Sequence, residues 1–204
     1  MGLDQSYRAI PGNSPILMLA ARHETWGCYL ELYGFDEIAE STLIERASSV
    51  EFIEYASLAA ATREAAHIGL AERTVDIYRH WDMLHYLLCE TRRRCEPEDA
   101  TGLATKAIIG GAQLGETVRA VQGVPVRHLT PKEVGDVYFW MCELPKDALR
   151  EHWDPPAMVE AGVYKMHVTN GEADLEYLRD DLENLKDFYS EAFAFDEGVL
   201  AFCG

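Results

Sequence analysis

Six apolar residues near the C-terminus, Leu175, Leu178, Leu182, Leu185, Tyr189 and Phe193, recur mostly at spacings of three and four between about Glu172 and Asp196. That spacing puts them on one stripe of an α-helix. A helix of this length runs about 37 Å at 1.5 Å per residue. A stripe that long must be buried against a second layer, so the chain is committed to a layered architecture. The other face, within EADLEYLRDDLEN, is read as a solvated surface.

The rest of the chain supplies the layers. Residues 1–15 carry Pro11, Gly12, Asn13 and Pro15 and read as an irregular lead-in. ILMLAA, 16–21, fits a short strand or the start of a helix. Helical patterns follow over 35–44 and, more strongly, over 48–69, where Ser48 or Ser49 can cap and Gly69 can end the element. TVDIYRHWDMLHYLLCETRRR, 74–94, reads as one helix. Ile77, Trp81, Leu84 and Leu88 form its stripe, and Arg92, Arg93 and Arg94 lie where positive charge suits a helix end.

KAIIGG, 106–111, reads as a short buried strand ending in two glycines, and VPVRHL, 124–129, as another. LTPKEV holds the clearest cap: Thr130 as N-cap, Pro131 in the first helical position and Glu133 completing a capping box. PKDALREHW and PPAMVEAG predict two short helical pieces on either side of Asp154. Asp196, Glu197 and Gly198 are expected to turn the chain into a closing strand, VLAFC. The expected fold is α/β, with mixed α+β as its variant: one domain over 1–204, a small central sheet and several flanking helices.

Charge narrows the function classes. Lys and Arg total 18 against 35 Asp and Glu, a formal charge of −17. Such a chain is repelled by phosphate backbones, so nucleic acid is not an expected partner. A basic protein partner is compatible with it. The five cysteines, Cys28, Cys89, Cys95, Cys142 and Cys203, are odd in number, widely spaced and without a C-x-x-C pair, which predicts reduced thiols in a cytoplasmic protein. No run of about 18 apolar residues occurs, so no membrane span is expected. MGLDQS matches the short N-myristoylation pattern, and with Asp4 in place of any basic residue it is read as coincidence.

Few residues carry recognisable chemistry. His80 and His85 would lie about 140° apart on a helix and could not share a metal, and no H-E-x-x-H or tight ligand spacing occurs, so no metal and no cofactor are expected. Asp82 and His85, three residues apart, could hydrogen-bond and orient an imidazole. Gly110, Gly111 and Gly115 fit neither a dinucleotide fingerprint nor a P-loop. A turn or close backbone packing explains them more simply than an anion site. There is no G-x-S-x-G, and Cys89, after two leucines, reads as a core residue.

Several segments in fixed order resemble the YfbM-like family of small bacterial domains of unknown function. They are DIYRHWDMLHYLL, AIIGGAQLG, GVPVRHLTPKEV, WDPPAMVEAGVYK, a C-terminal helix with LKDFYSEA, and the final GVLAF. The likeness covers about residues 70–203, with MGLDQSYRAIP weakly similar and 36–69 reading as a member-specific elaboration. It implies an α/β domain with a sheet flanked by helices, and no activity. It also implies a shared pattern at Trp81, His85, Gly110, Gly111, Arg127, Asp154 and Tyr164. Where the family has Gly-Pro before a small residue and Arg, this chain has Val124-Pro125-Val126-Arg127, which puts any backbone contact before the proline in doubt.

Two functions fit these observations. The first is a cytoplasmic acidic interaction protein, for instance an immunity-type protein covering a basic toxin. The second is a small-molecule site or enzyme in which Arg127 holds an anionic group and His85 acts as acid or base beside the glycine turn.

Overall fold

The computed structural model describes residues 3–14, 17, 21, 30, 31, 73–89, 102–120 and 122–204. The expected elements over 35–44 and 48–69, the run Arg92–Arg94 and most of 16–21 lie outside these residues. Five strands form one antiparallel sheet: β1 (Gln5–Pro11), β2 (Thr74–Tyr78), β3 (Ala112–Gln113), β4 (Arg127–Leu129) and β5 (Glu197–Cys203), in the order β2-β1-β5-β4-β3. Among the described residues six helices accompany it: α1 (Trp81–Leu88), α2 (Leu103–Ile109), α3 (Pro131–Glu143), α4 (Ala148–Glu151), α5 (Pro155–Glu160) and α6 (Glu172–Ala194). The mixed α/β class expected from sequence is the one observed.

The closing strand is the centre of the sheet. β5 pairs with β1 along its whole length, from Gln5 opposite Cys203 to Pro11 opposite Glu197, and with β4 on its other side. Glu197 to Phe202 are all buried. Since side chains alternate between faces, burial of every position means that both faces of this strand are covered. Tyr7, Val199 and Ala201 belong to a core shared with Leu84, Ile108, Val137, Leu178, Leu185 and Tyr189 from the helices. Glu197 and Gly198 are already paired with β1, so the expected three-residue turn shortens to Asp196, which takes a positive φ of 54°.

Three sequence expectations are corrected. Residues 1–15 are not an irregular lead-in throughout: Gln5–Pro11 is strand β1, held between β2 and β5, and only after Pro11 does the chain turn. The stretch 74–94 is not one helix: Thr74–Tyr78 is a strand on the sheet edge, and the helix begins only at Trp81. Thr, Val, Ile and Tyr favour the extended chain. Tyr78, at φ 46°, then reverses direction. Ile77, Trp81, Leu84 and Leu88 are all buried, but from two elements rather than one stripe. KAIIGG is likewise not a strand but the end of helix α2, stopped by Gly110. A short apolar run carries no period to distinguish the two, and the helix-favouring Leu103 and Ala104 just upstream, with Ala107 inside the run, decide it.

Other expectations hold. Thr130 caps α3 in a complete capping box, its Oγ1 accepting from the Glu133 amide at 3.3 Å while Glu133 Oε2 accepts from the Thr130 amide at 3.0 Å. The short helices fall on either side of Asp154. On α6, Leu175, Leu178, Leu185 and Tyr189 are buried and Leu182 partly so, but Phe193 is 40% exposed. The stripe leaves the core before the helix ends.

Candidate functional site

The structure brings Gly110, Gly111 and Arg127 together. Gly110 ends α2 at φ 93°, and a Cβ there would lie 2.8 Å from the Ala201 Cβ and 2.9 Å from the Arg127 Cβ. At Gly111 a Cβ would meet the His128 carbonyl oxygen at 2.5 Å. Only a bare backbone fits between α2 and the β4–β5 pair, which is the close-packing role of glycine. The buried Arg127 donates from Nη1 to the Gly111 carbonyl at 2.8 Å. Two tyrosines hold the preceding carbonyls of α2: Tyr7 donates to Ile108 O at 2.6 Å, and Tyr189 to Ala107 O at 2.9 Å. These bonds satisfy acceptors that a helix end leaves open.

His85 reaches the same helix one and a half turns earlier, its Nε2 3.0 Å from Thr105 Oγ1, with both residues buried. His80 turns elsewhere, its Nδ1 2.5 Å from Asp181 Oδ2 on α6. Neither described cavity is lined by His85, Gly110, Gly111 or Arg127. In this geometry the four residues join α1, α2 and the sheet.

Next to this turn, burial pushes the His128 imidazole below its ordinary value of 6.5, with Glu133 opposing. The folded state therefore binds this proton less well than the unfolded chain. His128 contributes fully above pH 6.5, and that contribution is lost as pH falls through 6.5 toward the lower folded value. Urea titrations at a series of pH values should show wild type losing stability over this window more steeply than His128→Gln. Parallel slopes would contradict the assignment.

Trp81 and Tyr164 form a second cluster. Their rings stack at 5.7 Å between centroids and clamp the N-terminal segment: Trp81 Nε1 donates to the Leu3 carbonyl at 3.2 Å, and the Leu3 amide donates to Tyr164 Oη at 2.9 Å. The buried Asp82 accepts from the Tyr164 amide at 2.7 Å. Asp154 has a separate task, capping α5 by accepting from the Ala157 amide at 3.1 Å.

Sequence reasoning missed a cavity of about 250 Å³ between the β1–β2 edge and α6. Its lining includes Arg73, Asn184, Asp187, Phe188, Glu191 and Glu197. Glu197 is 2% exposed, and its Oε1 accepts from Arg73 Nη1 at 2.5 Å. Its other oxygen, Oε2, has no hydrogen-bond partner among the described residues. Burial raises the Glu197 carboxyl above its usual range; Arg73 works against that and Glu191 adds to it. Arg73 also lies 4.5 Å over the Phe195 ring. Arg73 and Glu197 are 124 positions apart and meet only because β1 separates β2 from β5. The one available signal was a lone glutamate leading an otherwise apolar strand. A second cavity, about 410 Å³, lies among α3, α4 and α6 with mixed charges.

The third feature is an aromatic surface. Phe193 stacks on Tyr138 at 5.4 Å and meets Phe139 edge-on at 5.1 Å. Phe139 is 56% exposed. Gly135 makes room, since a Cβ there would lie 3.2 Å from the Phe193 ring. Asp136 and Glu143, both exposed, flank Phe139 on its own helix.

The family model for a domain of unknown function, DUF1877, matches residues 27–202. The chain belongs to this family. As a DUF1877 protein it also resembles a solved structure, YfbM from Escherichia coli, described as a protein of unknown function. The two are 14% identical with a TM-score of 0.54, over 98% of this chain and 99% of that one. At this identity the likeness establishes the shared fold. No curated protein matches the chain. Among the described residues of this DUF1877 chain, no three His, Cys, Asp or Glu side chains could hold a metal ion. None of its described helices is long and apolar enough to cross a membrane.

Proposed function

We propose that this protein works by binding a basic protein partner, which docks on the aromatic surface of α3 and α6. The observation that carries the reading is the Tyr138–Phe139–Phe193 cluster, open to solvent beside acidic residues. Exposed aromatics are costly to leave in water and are enriched where binding energy concentrates. α6 supplies eight acidic residues and two basic ones, so the field beside the patch favours a cationic approach. An immunity-type protein that covers a basic toxin is one form this function takes. Such a protein needs fast, salt-sensitive association rather than a catalytic set.

The test is affinity capture of tagged protein from its host's lysate at low and high salt, beside a Phe139→Ser/Phe193→Ser variant. A stoichiometric basic polypeptide is expected. It should be released as salt shortens the Debye length below about 10 Å and be lost from the variant at any salt. Retention by the variant would remove the aromatic surface from the interface, and recovery of the bare chain alone would defeat the reading. Both rings are partly exposed but pack on one another and on Tyr138, contacts worth about 0.5–1.5 kcal/mol per pair, so a urea melt must show the variant folded before its loss of partner is read.

A further inference from the structure

We propose that the cavity between the β1–β2 edge and α6 binds an organic cation, a primary ammonium or guanidinium group, with the buried Glu197 carboxylate in its lining and Asp187 and Glu191 at its mouth. This inference stands on the cavity alone and holds whether or not the aromatic surface docks a protein.

Three observations carry it. The first is the charge count: three carboxylates line the space against one guanidinium. That guanidinium is already committed, to Glu197 Oε1 on one side and the Phe195 ring on the other. The excess is therefore negative, and an anion would meet no uncommitted cation among the lining residues.

The second is Glu197 itself. A carboxylate has acceptor capacity on both oxygens, yet here one oxygen is used and the buried Oε2 has no partner among the described residues. A buried charge with an unmade hydrogen bond is destabilising. An N–H donor carrying positive charge satisfies the oxygen and offsets the charge together.

The third is shape. About 250 Å³ is below the range of roughly 300–1,000 Å³ typical of drug-sized ligands. It suits the head of an alkylamine or alkylguanidine. Phe188 and Ala192 give the wall an apolar stretch for the attached methylenes. Asp187 and Glu191 stand one turn apart on α6 and are exposed, so the charged mouth faces solvent.

The same head group can arrive as a free amine or as the Lys or Arg side chain of another protein. Isothermal titration of the full chain at low salt separates the two sources. The free probes are methylguanidine and n-butylamine, the side-chain probe is an acetylated, amidated Gly-Arg-Gly peptide, and butyrate serves as the anionic control. Saturable binding of the free probes points to a free amine, and binding of the peptide alone points to a partner's side chain. Either result supports the site if butyrate is silent.

Glu197→Gln should weaken the bound probe about tenfold, as loss of one charge-assisted hydrogen bond implies. If that variant fails to fold, Asp187→Asn/Glu191→Gln changes only exposed positions and should weaken binding several-fold. No binding of either probe class up to tens of millimolar, butyrate binding as well as butylamine, or unchanged affinity in every variant that folds would overturn the proposal.

Discussion

Gly110→Ala is expected to lower the free energy of unfolding by about 2–6 kcal/mol, measured as a fall in urea midpoint without loss of two-state behaviour. Two causes add. At φ 93° and ψ 175° the residue occupies backbone space that is essentially glycine's alone, a conformation costing roughly 1–3 kcal/mol for another residue. The new methyl also lands 2.8 Å from the Ala201 Cβ and 2.9 Å from the Arg127 Cβ, and overpacking of this kind costs about 1–3 kcal/mol. Gly123→Ala separates the causes: it has φ 81° but nothing within 4 Å of its would-be Cβ. It should cost only about 1–2 kcal/mol. Equal losses at the two glycines would show that crowding against the sheet is not what reserves position 110.

Asp82→Ala should cost about 2–4 kcal/mol, the lost hydrogen bond to a charged acceptor together with the stranded amide of Tyr164. Asp82 is fully buried on a helix whose eight residues are all buried, so water cannot replace the missing oxygen. Asp82→Asn keeps an acceptor and should recover about half of the loss. Because Tyr164 Oη accepts from the Leu3 amide, the alanine variant should also speed hydrogen exchange at Leu3. Unchanged stability would mean that the Tyr164 amide finds another partner, and unchanged exchange would separate the N-terminal clamp from Asp82.

Both predictions concern residues or neighbours that sequence had marked as site candidates, and in the structure their contacts are those of scaffold. The reason is local. His85, Gly110, Gly111 and Arg127 stand out in a linear reading as polar or flexible residues among apolar ones. The same contrast arises wherever two layers must meet closely and satisfy buried backbone groups. Arg127 donating to the Gly111 carbonyl is such a case. Asp154, marked in sequence only through the family resemblance, caps α5 ahead of two prolines.

The expected helix over 74–94 failed at Tyr78 because β-branched residues and a sheet-edge position outweighed an apolar spacing that mimicked a helical stripe. Phe193 failed differently. It continues the α6 stripe in sequence, but α3 ends the covered surface, and the ring lies over Gly135 half in water.

What the sequence determined by itself is what nearest neighbours along the chain control. That includes the long amphipathic α6, the Thr130 capping box, the two short helices around Asp154, the closing apolar strand and the acidic charge. Each depends on period, propensity or a side chain reaching three residues along its own backbone. The tertiary structure decided the strand order β2-β1-β5-β4-β3, and with it the pairing of Arg73 with Glu197 and the cavity they share. It also decided which end of the α6 stripe stays exposed. Those outcomes depend on which distant segments exclude water from one another, and no local pattern encodes a contact made across 124 positions of chain.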